Sequence, residues 1–230
     1  INSKGLLGAD TLCLIEVVRR YLHLAALEGG PLIILNDREG TTTAQRVPIV
    51  HFDGSVTEAS EVAGSEAGLQ VKYPTKLELQ PPRQEAIDAI RKLQPYAVMG
   101  MLTEQSGVGR GFTSEQDACR SLDDLVGVFM SNGAIIDLVE YCPHHPGDDK
   151  PKQGHPVYPI QDEYRFECGG RKGRGIGMVA EALVFLKGIC GVPVNFSKVV
   201  IGGDKADDVQ TADMVNRALQ ELGFGSEQYV

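Results

Sequence analysis

Two apolar runs in this 230-residue chain end in an aspartate: Leu32-Ile33-Ile34-Leu35-Asn36-Asp37 and Val199-Val200-Ile201-Gly202-Gly203-Asp204. Such runs read as buried strands of a parallel sheet, and open α/β sheets bind ligands beyond the carboxyl ends of their strands. Two carboxylates delivered to that edge are natural ligands for a hard cation such as Mg2+. One such Asp alone would read as a cap on the following loop; two in matching contexts favour the ligand reading. Thr41, Thr103, Ser106, Lys172 and Lys205 all fall at strand ends or loop starts. Hydroxyls, lysines and a metal together supply what a phosphoryl group needs, donors and positive charge aimed at developing negative charge. Gly107-Val108-Gly109-Arg110-Gly111 would let the backbone approach an anion closely, although the glycines by themselves favour a plain loop.

The elements that must position these residues follow from periodicity. Leu12, Ile15, Val18, Leu22 and Ala26 mark a helix over 9–27, ended by Gly29-Gly30-Pro31. Residues 41–82 have weak periodicity and read as an irregular insertion, with short strands at Ile49–Phe52 and Gln70–Tyr73. A helix is expected over 83–94, with Ala86, Ile87, Ile90 and Leu93 on one face. A strand over 96–102 and a glycine-crowded loop over 107–111 follow. The next helix spans 114–130 with Ser114 as its N-cap, and a strand follows over 134–141. Residues 142–170 read as a long loop rich in Pro, Gly and His. A helix over 175–188, a strand over 198–201 and a last helix over 206–222 complete the chain. This alternation implies an α/β fold, a parallel sheet with helices on both faces. The expected organisation is an N-terminal helical extension over 1–30 and one domain over 31–230.

Composition narrows the function. The chain has 31 Asp and Glu against 22 Lys and Arg, a formal charge of −9. Phosphate neutralisation along a nucleic acid needs clustered Lys and Arg, so broad nucleic-acid binding is not expected. The run Arg171-Lys172-Gly173-Arg174-Gly175 leaves room for a local polyanion contact, but it lacks the interleaved aromatics that single-strand stacking uses. No apolar run approaches the ~18 residues of a membrane span. Five widely spaced cysteines are not a disulfide framework. A reducing intracellular compartment is expected, cytoplasm or an organelle matrix such as that of the mitochondrion. Cys13, Cys119 and Cys190 are read as small core residues on helical segments. The first residue is Ile rather than Met, which reads as a processed product with any targeting segment outside it.

Five segments then converge on a resemblance. Asp37-Arg38-Glu39-Gly40-Thr41 resembles the DxDGT nucleophile motif of the haloacid dehalogenase (HAD) superfamily. Thr103-Glu104-Gln105-Ser106-Gly107-Val108-Gly109-Arg110-Gly111 is similar to the TNQSGxxRG segment of its heptose-bisphosphate and histidinol-phosphate phosphatase branch. Cys142-Pro143-His144-His145-Pro146 resembles the CPHHP zinc loop of that branch. Arg171-Lys172 follows Cys168 as in its CxCRKP segment, and Gly203-Asp204-Lys205 with Asp208 is similar to GDKxxD. All five stand in the family's order, across roughly residues 31–224.

The resemblance implies a three-layer α/β/α Rossmann-like fold and a role for each matched residue. Asp37 would attack phosphorus and form an aspartyl-phosphate, with Glu39 as general acid and base. Thr103 would hydrogen-bond the phosphoryl group and Lys172 would neutralise its charge. Arg171, Lys205 and Ser106 would contact substrate phosphate. Asp37, the Glu39 main-chain carbonyl and Asp204 would hold Mg2+, supported by Asp208. Cys142, His144 and Cys168 match three zinc positions, while Gly170 stands at the fourth. His145 and His155 are the candidates to replace it.

Three departures sit around the same site. Glu39 stands where the family has Asp, Glu104 where it has Asn, and Gly173 where it has Pro. The carboxyl of Glu39 is displaced by one methylene, and an acid at position 104 would repel a phosphorylated substrate. Two functions follow, with a phosphate-binding module without turnover as a weaker third. One is a Mg2+-dependent phosphatase acting on a small phosphorylated sugar or alcohol. The other is a catalytically impaired HAD-like subunit that scaffolds a larger protein or ribonucleoprotein assembly through its N-terminal helix and its insertion.

Overall fold

The computed structural model describes residues 19–38, 42–43, 48–50, 56–58, 70–71, 81–111, 113–145, 160–165, 176–203 and 206–221. In chain order these carry α1 (residues 19–25), β1 (Leu32–Asp37), β2 (Pro48–Val50), β3 (Val56–Glu58), β4 (Gln70–Val71) and α2 (Gln84–Leu93). Then come β5 (Ala97–Glu104), α3 (Ser106–Gly109), α4 (Glu115–Ser131), β6 (Leu138–Cys142), α5 (Gly177–Gly188), β7 (Val199–Gly202) and α6 (Ala206–Glu221).

Side-chain alternation along the strands builds the layers. Ile33 and Leu35 of β1, Val98 and Leu102 of β5 and Leu138 of β6 share one face of the sheet. They pack on Tyr21 and Leu24 of α1, Met178, Val179, Ala182 and Leu186 of α5, and Val215 and Leu219 of α6. The intervening residues Ile34, Met99, Met101 and Val139 face the other way, onto Ile87 and Ile90 of α2 and Leu122, Leu125, Val126 and Phe129 of α4. Both faces are therefore buried, which is why the strands read as continuous apolar runs rather than alternating ones. Each fully buried Leu, Ile or Phe contributes about 1.5–3 kcal/mol.

The sheet order is β6-β5-β1-β7, with every pairing parallel. The chain leaves β1 toward β5 and β6, then returns to the far side of β1 as β7. The order thus reverses at β1, the strand that ends in Asp37. Of the insertion, a three-stranded antiparallel sheet in the order β3-β2-β4 is described. Two of its strands match the expected ones at 49–52 and 70–73, in shorter form; β3 was not expected. The two ends of the insertion meet at an antiparallel bridge between Thr43 and Pro82.

Three sequence readings are corrected. The strand expected over 134–141 starts only at Leu138. Upstream of it, the Gln94 side chain takes the backbone that would have extended the ladder: Ile135 N donates to Gln94 Oε1 at 2.9 Å, and Gln94 Nε2 donates to the Gly133 carbonyl at 3.1 Å. The glycines at 107–111 do not form a plain loop, because Ser106–Gly109 closes one helical turn. A side chain at Gly109 would come within 2.8 Å of the Pro143 carbonyl, so glycine permits this close packing. Cys119 and Cys190 are only half-buried, and Cys190 lies past the end of α5.

A buried ion pair holds α1 to the sheet. Arg20 Nε and Nη2 each donate to one carboxylate oxygen of Asp137 at 2.7 Å. Its remaining donors reach the carbonyls of Ala97, at 2.8 Å, and Gln94. Asp137 also accepts from Met99 N at 2.8 Å. The pair spans α1, the start of β5 and the approach to β6. Among the described residues no helix is long and apolar enough to cross a membrane.

Candidate active site

Asp37 is the last residue of β1 and is 1% exposed. Its register partner on β5 is Leu102, and Arg38 N donates to the Leu102 carbonyl at 3.1 Å, extending the pairing one residue. The chain then turns back. The Arg38 carbonyl accepts from Thr42 N at 3.1 Å, from Thr43 N at 2.9 Å, and from both threonine hydroxyls at 3.0 Å. One carbonyl thus closes the loop in which Glu39 and Thr41 stand; those two residues lie outside the described ones.

Thr103 sits one residue beyond Leu102 and is fully buried. By strand alternation Asp37 belongs to the face of Ile33 and Leu35, while Thr103 belongs to that of Met99 and Met101. The two can share a ligand only at the carboxyl edge, where the strands stop. Glu104 is the end residue of β5, on the same face as Asp37. Ser106 opens α3 directly after it.

On the other side of β1, Asn36 pairs with Gly202, so the loop after β7 leaves the sheet beside Asp37. Asp204 and Lys205 of this loop lie outside the described residues. Gly203 and Asp208 do not. The Asp208 side chain is buried in the first turn of α6 and folds back over Gly203, where a Cβ would fall inside its carboxyl group. Only glycine fits at position 203 against Asp208. A hard cation needs several oxygen ligands. Asp37, Asp208 and the hydroxyls at this edge fit such a donor set in chemistry.

Arg171, Lys172 and Cys168 also lie outside the described residues, as does His155. Cys142 Sγ and His144 Nδ1 are 3.7 Å apart, and the His144 ring lies 6.2 Å from that of Tyr164. Among the described residues no group of three or more His, Cys, Asp or Glu is placed to hold a metal. His145 Nε2 lies 2.6 Å from Arg110 Nη2, and because a guanidinium only donates, that nitrogen is the acceptor of the pair.

Several site residues were not singled out as functional from the sequence. Arg38 is 4% exposed beside Asp37, in the variable slot of its motif. Gln105 lies between Arg38 and Thr103. A further cluster ties the 160–165 segment down. Tyr141 donates to one oxygen of Glu115, and Tyr164 donates to the other at 3.1 Å. A charged residue in sequence reads as exposed, so no local pattern signals these pairings.

Burial, and next the Glu115 carboxylate, push both the Tyr141 and Tyr164 phenols up from the usual 10.0. Their folded-state values therefore exceed the unfolded ones. Their contribution to stability is full below about pH 10 and is lost as pH rises through the folded values. Urea unfolding of Tyr141→Phe should lose less stability between pH 9 and 11 than the wild type does. An identical alkaline slope would refute this.

No family model matches the chain. It is 34% identical over 126 residues to the D-glycero-beta-D-manno-heptose-1,7-bisphosphate 7-phosphatase of Rhodopseudomonas palustris, covering 54% of this chain and 59% of that protein. Against the enzyme of the same description from Pasteurella multocida it is 30% identical over 142 residues, covering 59% of this chain and 67% of that protein. The chain thus spans little more than half the length of the first of these relatives. The solved structure of D,D-heptose 1.7-bisphosphate phosphatase from B. bronchiseptica, complexed with magnesium and phosphate, matches with a TM-score of 0.50 and 20% identity. It covers 79% of this chain and 74% of that one. A HAD-like structure from Mesorhizobium loti matches at 0.53 and 19%, covering 80% and 68%. The two structures share the fold. The sequence relatives go further: the chain belongs to the haloacid dehalogenase superfamily, in its heptose-bisphosphate phosphatase branch.

Proposed function

We propose that this chain is a Mg2+-dependent phosphatase acting on a small phosphorylated sugar, of the heptose-bisphosphate class that its relatives' names give. The observation that carries the proposal is Asp37, buried at the carboxyl end of the strand where the sheet order reverses, with Thr103 at the end of the next strand. Asp37 attacks phosphorus, the P–O bond to the sugar breaks, and an aspartyl-phosphate forms on its carboxylate. Glu39 gives a proton to the departing sugar oxygen and then takes one from the water that hydrolyses the intermediate. Lys172 and Arg171 offset the phosphoryl charge, and Lys205 and Ser106 hold the substrate. Mg2+ would be held by Asp37, the Glu39 carbonyl and Asp204, with Asp208 behind them, and when bound it would draw charge from the phosphoryl oxygens. Zinc at Cys142, His144 and Cys168 is a separate proposal; a chelator-sensitive melting temperature, restored by Zn2+ alone, would support it.

The test is phosphate release from a panel of phosphosugars, heptose bisphosphate among them, with Mg2+ and with EDTA. Mg2+-dependent release supports the enzyme. No release together with no capture of BeF3− sinks it. The second reading, a HAD-like scaffold without turnover, is favoured by Glu104, a carboxylate at the end of β5 on the same face as Asp37. A carboxylate about 4 Å from a bound phosphate would repel it by about 4 kcal/mol at an effective dielectric of about 20, and by less at greater distance. Glu104→Asn should therefore tighten phosphate binding by about tenfold, read by calorimetry. An unchanged affinity would remove Glu104 as the obstacle.

A further inference from the structure

Gln105 follows β5 with its backbone held on both sides. Its N–H donates to the Cys142 carbonyl at 2.8 Å, and its carbonyl accepts from Val108 N at 2.9 Å. The side chain lies between two buried residues, Thr103 and Arg38. Guanidinium nitrogens only donate, so the carboxamide atom that faces Arg38 is the oxygen. That oxygen accepts from Arg38 Nη2 at 3.0 Å and Nη1 at 3.3 Å, and it lies 2.7 Å from Thr103 Oγ1. Two oxygens at this distance need a proton between them, and the threonine hydroxyl supplies it.

A threonine hydroxyl has one proton. The unprotonated oxygens of a phosphate only accept, so one of them at the end of β5 would compete for the same proton that Gln105 holds. We propose that Arg38 and Gln105 form a positioning clamp that withholds the Thr103 proton from the phosphate pocket. Arg38 sets the carboxamide with its oxygen inward; the oxygen turns the hydroxyl away from the ligand. The clamp releases only to an acceptor strong enough to outcompete a carboxamide, which a phosphoryl dianion is. Turning the carboxamide over would aim its NH2 at the guanidinium, so Arg38 resists that escape. The proposal rests on the phosphate-pocket reading given above.

Calorimetric titration of inorganic phosphate in Mg2+ buffer tests it, in a double-mutant cycle. In the wild type, Thr103→Val should weaken phosphate binding by only about threefold, because the hydroxyl gives up its bond to Gln105 to make the one to phosphate. In Gln105→Met, which keeps the length but has no acceptor oxygen, Thr103→Val should weaken binding by about tenfold, the worth of one hydrogen bond to a charged acceptor. Gln105→Glu keeps an acceptor toward Arg38 and should restore the smaller, about threefold loss on Thr103→Val. Gln105→Leu repeats the cycle if Gln105→Met melts early. Equal weakening by Thr103→Val in every background overturns the clamp while leaving the phosphate pocket standing. No phosphate binding by any folded variant overturns the pocket, and the clamp with it.

Discussion

Asp37→Asn should abolish the proposed Mg2+-dependent phosphate release, lowering the rate by at least about 10³-fold, or ~4 kcal/mol of barrier. The amide oxygen has the shape of the carboxylate oxygen but carries no charge and cannot act as the nucleophile. The substitution should not harm the fold. Asp37 is 1% exposed, and taking a carboxylate out of water is costly unless it is compensated. A neutral amide lowers that cost, so the melting temperature should hold or rise, as happens where active sites store instability. Both readouts matter. A variant that melts early and turns over normally would show Asp37 to be a structural acid. A variant that keeps its melting temperature and loses turnover is the expected result. Release by the wild type that is indifferent to this substitution would remove Asp37 from the chemistry.

The second large effect concerns folding. Asp137→Ala should cost about 3–5 kcal/mol, read from urea unfolding, because it leaves Arg20 with an uncompensated charge in a buried position. The Asp137 side chain is 2% exposed and the Arg20 side chain 11%. The loss also strips Met99 N of its acceptor, at the centre of the sheet. Replacing both partners tests the mechanism. Arg20→Met with Asp137→Leu should recover most of the loss, since a buried ion pair replaced by apolar groups of similar volume is often neutral or stabilising. A double variant as unstable as Asp137→Ala would mean that the network beyond the pair, at Gln94 and Ala97, decides. The pair also bears on α1. Tyr21 and Leu24 are core residues, so deleting 1–28 to probe a binding role would unfold the domain rather than uncover a surface.

Much of the fold was legible in the chain. The run at 32–37, the helical stripe of Ile87 and Ile90, and the Ser114 cap are local features, and each maps onto β1, α2 and the start of α4. Buried parallel strands need apolar residues on both faces, and amphipathic helices need one face, so pattern and element coincide. Where the chain misled, a side chain had replaced a backbone partner. The carboxamide of Gln94 ends β6 early, and no stretch around 134–137 carries a sign of it. The insertion gave only weak signals, because strands of two or three residues hold too few side chains for a period.

The site divides in the same way. The residue types and their order were enough to single out Asp37, Thr103 and Ser106 as candidates at strand ends or loop starts, while Asp208 lies in the first turn of α6. The partners of the buried polar groups were not readable: Arg38 with Gln105, His145 with Arg110, Glu115 with two tyrosines, Arg20 with Asp137. Periodicity is a property of consecutive residues and survives in any fold that buries the stripe. A polar partner is decided by which strands and loops the topology brings together. Leaving such a group unpaired costs about 1–3 kcal/mol, so the folded structure must find each one a partner wherever one lies near. The sequence by itself therefore determined an α/β chain with acids and hydroxyls at its strand ends. The tertiary structure decided which cation faces which acceptor, and so set Gln105 between Arg38 and Thr103.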